Sequence, residues 1–261
     1  MSHPAQKPSI VLVPGALHEP AAYSLLIENL RTYGDKVHPV ALPSVGKNPT
    51  TFPKSGLEDV AAVRSVIEAC VERGEDVLVL MHSLGSVIGS EACRGLAKRD
   101  REEEGKRGGV ARLVFLCGAL VPEGRHVGRF MEGRVGGMGT YIVYDAVDNA
   151  FLADVDQAAA YWWHDVSDAR VEEQKRLLRD VKMSPGIVDF ETRYAAWKWI
   201  PGTYVFTEED RSFLPEVQEW LVQQDGVEGM DVVKIRAGHA PWLSRMVEVV
   251  EVVRRAAGEV V

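Results

Sequence analysis

The chain has 261 residues, with 30 Lys and Arg against 38 Asp and Glu, a net charge of −8. That balance lacks the basic footprint that phosphate neutralisation requires and excludes a nucleic-acid partner. Hydrophobic residues at 46% and charged residues at 26% exclude disorder, and no apolar run approaches the ~20 residues of a membrane helix.

The length suits one large domain, or one domain carrying an insertion. The N-terminal MSHPAQKPS has no long apolar stretch of the kind a secretory leader needs. Cys70, Cys93 and Cys117 cannot all pair within the chain, and each falls in a predicted helix or strand. They read as buried, reduced thiols, so a cytoplasmic protein is expected.

The first predicted element is a strand at residues 10–13 (IVLV), a short apolar run without alternation. Residues 77–81, 112–117 and 203–207 are runs of the same kind, and 37–41 and 232–235 are weaker ones. Such runs suit strands buried on both faces of a parallel sheet. Helices are predicted between them. One runs from Pro20 to Tyr33 before Gly34, and one from the capping box Ser55-Gly-Leu-Glu58 to a stop before Gly74. Two more run from Ser83 to Ala97 and from Pro241 to Ala257. Residues 98–109 (KRDREEEGKRGG) read as a charged loop. The alternation predicts an α/β fold, a mainly parallel sheet flanked by helices.

The pattern breaks over residues 123–199, which show no convincing central strand and are rich in aromatics. This stretch is expected to be a mostly helical cap inserted into a core made of residues 1–122 and 200–261. Within it, Gly136-Gly137-Met138-Gly139 neither follows a strand nor opens a helix, so it is a cap loop rather than a dinucleotide fingerprint. No metal-ligand spacing stands out among the scattered histidines, and no cofactor is called for.

Chemistry concentrates at four loops that the fold would bring to one sheet edge. Met81-His82-Ser83-Leu84-Gly85 lies between a strand and a helix. A serine on so sharp a turn exposes its hydroxyl, beside a helix N-terminus that favours negative charge. The bland alternative is a helix N-cap. Met81 stands where a small residue is usual. The loop Val13-Pro14-Gly15-Ala16-Leu17-His18 follows the first strand, and Gly15 would let the backbone approach a reacting carbonyl. The amides of Ala16 and Leu84 are the candidate pair for an oxyanion. His239, in Ala237-Gly238-His239-Ala240-Pro241, follows the last strand. An acid to orient it comes from Thr207-Glu208-Glu209-Asp210-Arg211, with Asp210 preferred. Glu208, Glu209 and Glu123 remain open.

Together these motifs resemble the α/β-hydrolase superfamily, and most closely its compact branch of methylesterases, hydroxynitrile lyases and related fungal and bacterial hydrolases. The resemblance rests on VPGALH at Val13, MHSLG at Met81, TYVFTEEDRSFLP at Thr203 and AGHAPWLS at Ala237. It implies a triad of Ser83, Asp210 and His239, acting on an ester or lactone of a small apolar or aromatic substrate. Gly15, His18, His82, Tyr161, Trp162, Trp163, His164 and Trp199 are the expected substrate-binding residues. The rivals are a lyase, isomerase or cyclase using the same triad, with Lys198 or His164 aimed at Ser83, and a non-catalytic small-molecule binder. The oligomeric state is open, a homodimer included.

Overall fold

The unbroken apolar runs are buried because helices cover them from both sides. In the computed structural model, which describes residues 7–136 and 139–261, the strands in chain order are β1 (Ser9–Val13), β2 (Val37–Pro39), β3 (Val45–Gly46), β4 (Asp76–His82), β5 (Gly109–Leu116), β6 (Ile142–Asp145), β7 (Ala150–Ala153), β8 (Lys182–Met183), β9 (Gly202–Thr207) and β10 (Asp231–Ile235). Six of them form a parallel sheet in the order β10-β9-β5-β4-β1-β2. Every residue of β1 and β9 is buried, whereas the edge strand β10 is largely exposed. All six predicted strands are present. Of the cap loop predicted at 136–139, Gly137 and Met138 lie outside the described residues.

The helices are α1 (Ser24–Thr32), α2 (Leu57–Val71), α3 (Gly85–Ala92), α4 (Lys98–Glu103), α5 (Val127–Met131), α6 (Val155–Trp162), α7 (Asp168–Leu178), α8 (Pro215–Val222), α9 (Pro241–Ser244) and α10 (Met246–Ala256). Three differ from the sequence reading. The helix after Ser83 ends at Ala92, and Gly95 turns the chain with φ of 71°. The charged loop contains α4, because Arg101 is buried and its guanidinium donates to the carbonyl of Gly108 (2.8 Å) and pairs with Glu72. The final helix is two, broken at Arg245, whose ψ of 45° is not helical.

Residues 123–199 hold α5, α6 and α7, which cover less than half of the stretch, and also strands of an antiparallel sheet that the sequence did not reveal. Its order is β3-β8-β7-β6, so that β3 reaches it from outside the insertion. These strands are two to four residues long, too short to show an alternation. The chain returns to the core along α3. The buried Glu91 carboxylate accepts the amides of Arg193 (2.8 Å) and Tyr194 (2.9 Å), and Ser90 Oγ accepts that of Ala196 (2.8 Å). Among the described residues no helix is long and apolar enough to cross a membrane.

Asp59 on α2 anchors the loop leading to β3. Its carboxylate is fully buried, accepts the Ser44 amide at 2.9 Å, and leaves Oδ2 without a partner. Desolvation raises its pKa to about 6. The folded state thus holds its proton longer than the unfolded chain. The stabilising contribution is complete below about pH 4 and is lost as pH rises through about 6. Asp59→Asn keeps the acceptor and removes the titration. Its stability relative to wild type should improve by about 2 kcal/mol between pH 4 and pH 7. Urea melts at both pH values check this, and a pH-independent difference would refute it.

Candidate active site

Ser83 follows β4 directly, with φ of 50°. This left-handed conformation costs a non-glycine residue about 1 kcal/mol. The neighbours hold it there. Its N–H donates to the Leu116 carbonyl (3.0 Å), and its carbonyl accepts the amides of Ser86 (3.1 Å) and Ala119 (3.1 Å). The turn is tight against the first loop. A Cβ on Gly85 would lie 2.1 Å from the Pro14 carbonyl oxygen. Met81 neither narrows the site nor displaces the turn. It is fully buried, outside the cavity lining, with its sulfur where a Cβ on Gly89 would fall (2.6 Å). The room usually left at the serine's second predecessor is here left on α3 instead.

Three side chains distant in sequence meet at the ends of β4, β9 and β10. Ser83 Oγ is 3.1 Å from His239 Nε2, and His239 Nδ1 is 2.8 Å from Asp210 Oδ2. Asp210 and His239 are buried. Asp210 Oδ1 accepts the amides of Ser212 (2.9 Å) and Phe213 (2.8 Å), and Oδ2 accepts the Thr207 hydroxyl (2.8 Å). With Oδ2 accepting the hydrogen bond of Nδ1–H, Nε2 is left free to accept from the serine hydroxyl. The alternatives lie elsewhere. Glu123 accepts the Ala195 amide and pairs with Lys198, and Glu209 pairs with Arg236.

His82 and Tyr23 tie the loops together. The Gly15 N–H donates to the Tyr23 hydroxyl (2.9 Å), which donates to His82 Nδ1 (2.7 Å), and His82 Nε2–H donates to the His239 carbonyl (3.0 Å). Burial, with His239 nearby, holds the His82 pKa well below the usual range. The neutral ring therefore keeps one tautomer. The sequence missed Tyr23; its only signal was an apolar position of a predicted helix. Gly15 also differs from expectation. It does not line the cavity, and a Cβ there would lie 2.5 Å from His82 Nδ1 and 3.2 Å from Ser83 Cβ. Its bareness lets the His82 ring in, rather than a substrate.

The serine opens on a cavity of about 340 Å³. Of the residues expected to bind substrate, His18, His82 and Trp162 line it, as do Ala16 and Leu84. The amides of Ala16 and Leu84 make no hydrogen bond among the described residues. Besides Gly15, four expected substrate-binding residues lie elsewhere. Tyr161 stacks on Tyr141 with ring centroids 4.5 Å apart, Trp163 is buried behind His18, and Trp199 is 49% exposed. His164 packs against Gly238, whose amide donates to Asp165 (2.8 Å). In their place stand Met131, Ile142, Phe151, Met183, Val188 and Phe213. Three of these, Ile142, Phe151 and Met183, are on the short strands β6, β7 and β8, so the failure to see the strands hid the lining.

Among the described residues the fold also assembles two trios of metal-ligating types, with donor atoms within 4.8 Å of one another: His82, Cys117 and His239, and His38, Cys70 and Glu75. In the first, the ring nitrogens are engaged as above. Burial and the Asp210 charge hold the Cys117 thiol well above its usual pKa, so it is no thiolate ligand or rival nucleophile. In the second, Arg73 bonds both Cys70 and Glu75, a cation where a metal ion would sit.

Comparison with known proteins agrees with this architecture. A structure of a polyneuridine aldehyde esterase variant superposes with a TM-score of 0.76 at 22% identity, covering 96% of this chain and 99% of that one. A methylesterase from Arabidopsis gives 0.74 at 17% identity, covering 96% and 99%. At these identities the likeness shows the fold. The alpha/beta hydrolase nvfD of Aspergillus novofumigatus (strain IBT 16806) is 30% identical over 255 residues, 98% of each chain. The model of the alpha/beta hydrolase family matches residues 10–252. The chain therefore belongs to the alpha/beta hydrolase family.

Proposed function

We propose that this protein is a serine hydrolase that cleaves an ester or lactone of a small, apolar or aromatic substrate. The observation that carries this reading is the Asp210–His239–Ser83 hydrogen-bond chain (2.8 and 3.1 Å) opening on an apolar cavity. His239 Nε2 takes the serine proton as Oγ attacks the carbonyl carbon. The amides of Ala16 and Leu84 hold the oxyanion. Collapse breaks the bond to the leaving oxygen, which receives that proton from His239 and departs as the alcohol. Water, deprotonated by His239, then attacks the acyl-serine and releases the acid. Residues 123–199 act as the cap that keeps the site dry. The names of the esterase neighbours support the ester-directed reading, and three buried free thiols support a cytosolic setting.

Hydrolysis is favoured over the lyase reading because neither polar cap residue proposed for that chemistry lines the cavity. Lys198 is paired with Glu123, and His164 faces Gly238. The test is labelling with a fluorophosphonate, followed by a panel of esters and lactones. Modification at Ser83, absent in His239→Ala, with turnover of at least one panel class, is expected. An unlabelled serine in folded protein would refute the proposal.

The Tyr23 hydroxyl should matter to kcat. Tyr23→Phe strands the Gly15 N–H and frees the His82 tautomer, loosening the loops that carry the oxyanion donors and the histidine. A kcat reduced by about ten- to a hundredfold with little change in KM is expected, and a stability loss of about 1–3 kcal/mol. Wild-type kcat in this variant would show that the relay positions nothing.

A further inference from the structure

One side-chain nitrogen among the cavity-lining residues has no hydrogen-bond partner among the described residues. Both ring nitrogens of His82 and of His239 are engaged within the protein. Ser212 Oγ is bonded to the Tyr141 hydroxyl (2.6 Å) and the Trp162 indole N–H (3.3 Å). Glu132 is an exposed residue. His18 is different. Its Nδ1–H donates to the Ala16 carbonyl at 2.7 Å. Nε2 is therefore the bare nitrogen, an acceptor with no partner among the described residues. The ring is only 5% exposed and lies beside Trp162 and His82, with centroids 5.1 and 5.9 Å away. Burial lowers its pKa to about 4, so it remains neutral near pH 7 and Nε2 does not turn into a donor.

A ligand that covers this acceptor with apolar surface leaves it without a donor, which is costly, and a ligand that brings a donor avoids that cost. No Lys or Arg lines the cavity among the described residues, so a carboxylate or phosphate ester monoanion would be desolvated without a counter-charge. The carbonyl that holds His18 belongs to Ala16, whose N–H faces the proposed oxyanion. A donor bonded to Nε2 therefore shares one cavity wall with Ala16 and Ser83.

We propose that the substrate is a neutral ester or lactone bearing a hydroxyl group within a few bonds of its scissile carbonyl, and that His18 Nε2 accepts the hydrogen bond of that hydroxyl. This rests on the hydrolase reading above. The product is a hydroxy-acid anion, which finds no cation in the cavity and is expelled.

Two matched ester pairs test the inference: methyl mandelate against methyl phenylacetate, and methyl 3-hydroxy-3-phenylpropanoate against methyl 3-phenylpropanoate. Wild type should prefer the hydroxylated member of at least one pair by about tenfold in kcat/KM. In His18→Leu that ratio should fall to about one. In His18→Gln, which keeps an acceptor oxygen, part of it should return. Calorimetric binding of the same pairs to Ser83→Ala reads the preference without turnover. Equal kcat/KM within both pairs, an unchanged ratio in His18→Leu, or no binding or turnover of any member overturns the inference. The two readings fail separately. A tenfold binding preference in Ser83→Ala with no serine labelling in wild type sinks the hydrolase alone. Hydrolysis of both pairs without preference sinks the hydroxyl subsite alone.

Discussion

Alanine at position 83 is expected to lower kcat/KM by about 10⁴- to 10⁶-fold while leaving the fold intact. The serine hydroxyl makes a single side-chain bond, to His239 Nε2 at 3.1 Å, and the strained turn is held through its backbone. Removing the nucleophile therefore removes covalent catalysis and little else. Because the three groups act as one unit, His239→Ala should cost about as much, and the double variant scarcely more. Asp210→Asn should cost roughly 10⁴-fold by a different route. An amide at that position can present N–H to His239 Nδ1, which favours the tautomer whose Nε2 already carries a proton. Single-turnover assays on the best panel ester read all four variants. Retention of a tenth of wild-type activity by Ser83→Ala would rule out the serine as nucleophile.

The second large effect is expected at Gly85. A methyl group there would sit 2.1 Å from the Pro14 carbonyl oxygen and 2.9 Å from that of Val13. Both contacts are backbone, so no side chain can swing aside. Either the first turn of α3 moves away from β1, or the loop carrying Ala16 moves. Each route separates the amides of Leu84 and Ala16. Gly85→Ala should lower stability by about 3–5 kcal/mol and, in the folded fraction, cut turnover by at least about a hundredfold. Denaturant melts and activity corrected for folded protein separate the two losses. A Gly85→Ala enzyme with wild-type stability and rate would mean that the approach of the two loops is not tight. Gly89→Ala makes a graded comparison, since its contact is the flexible Met81 side chain.

How much of this was legible beforehand varied with sequence distance. The four inner strands β1, β4, β5 and β9 could be read because each is a contiguous apolar run, and burial on both faces leaves a signal within five or six residues, whereas the edge strands β2 and β10 are part-exposed and gave weaker runs. Ser83, His239 and Asp210 could be named because each occupies a loop after a strand, with local neighbours that mark it. The antiparallel sheet could not be read. β3 and β8 are two residues long and pair across residues 45–46 and 182–183, so nothing local marks either. The aromatic residues misled for a related reason. Tyr161, Trp162 and Trp163 are consecutive around one helix end, and only its orientation decides that Trp162 faces the cavity while its neighbours pack elsewhere.

The sequence by itself determined the layered α/β class and the order of the loops that carry Ser83, Asp210 and His239, because these depend on composition and on order along the chain. The tertiary structure alone decided which acid faces His239, which tautomers His18 and His82 hold, and which apolar residues enclose the serine. Those are questions of distance and direction between residues up to 157 positions apart. A hydrogen bond is worth having only at about 3 Å and near-linear geometry, and no pattern along one strand of letters encodes that.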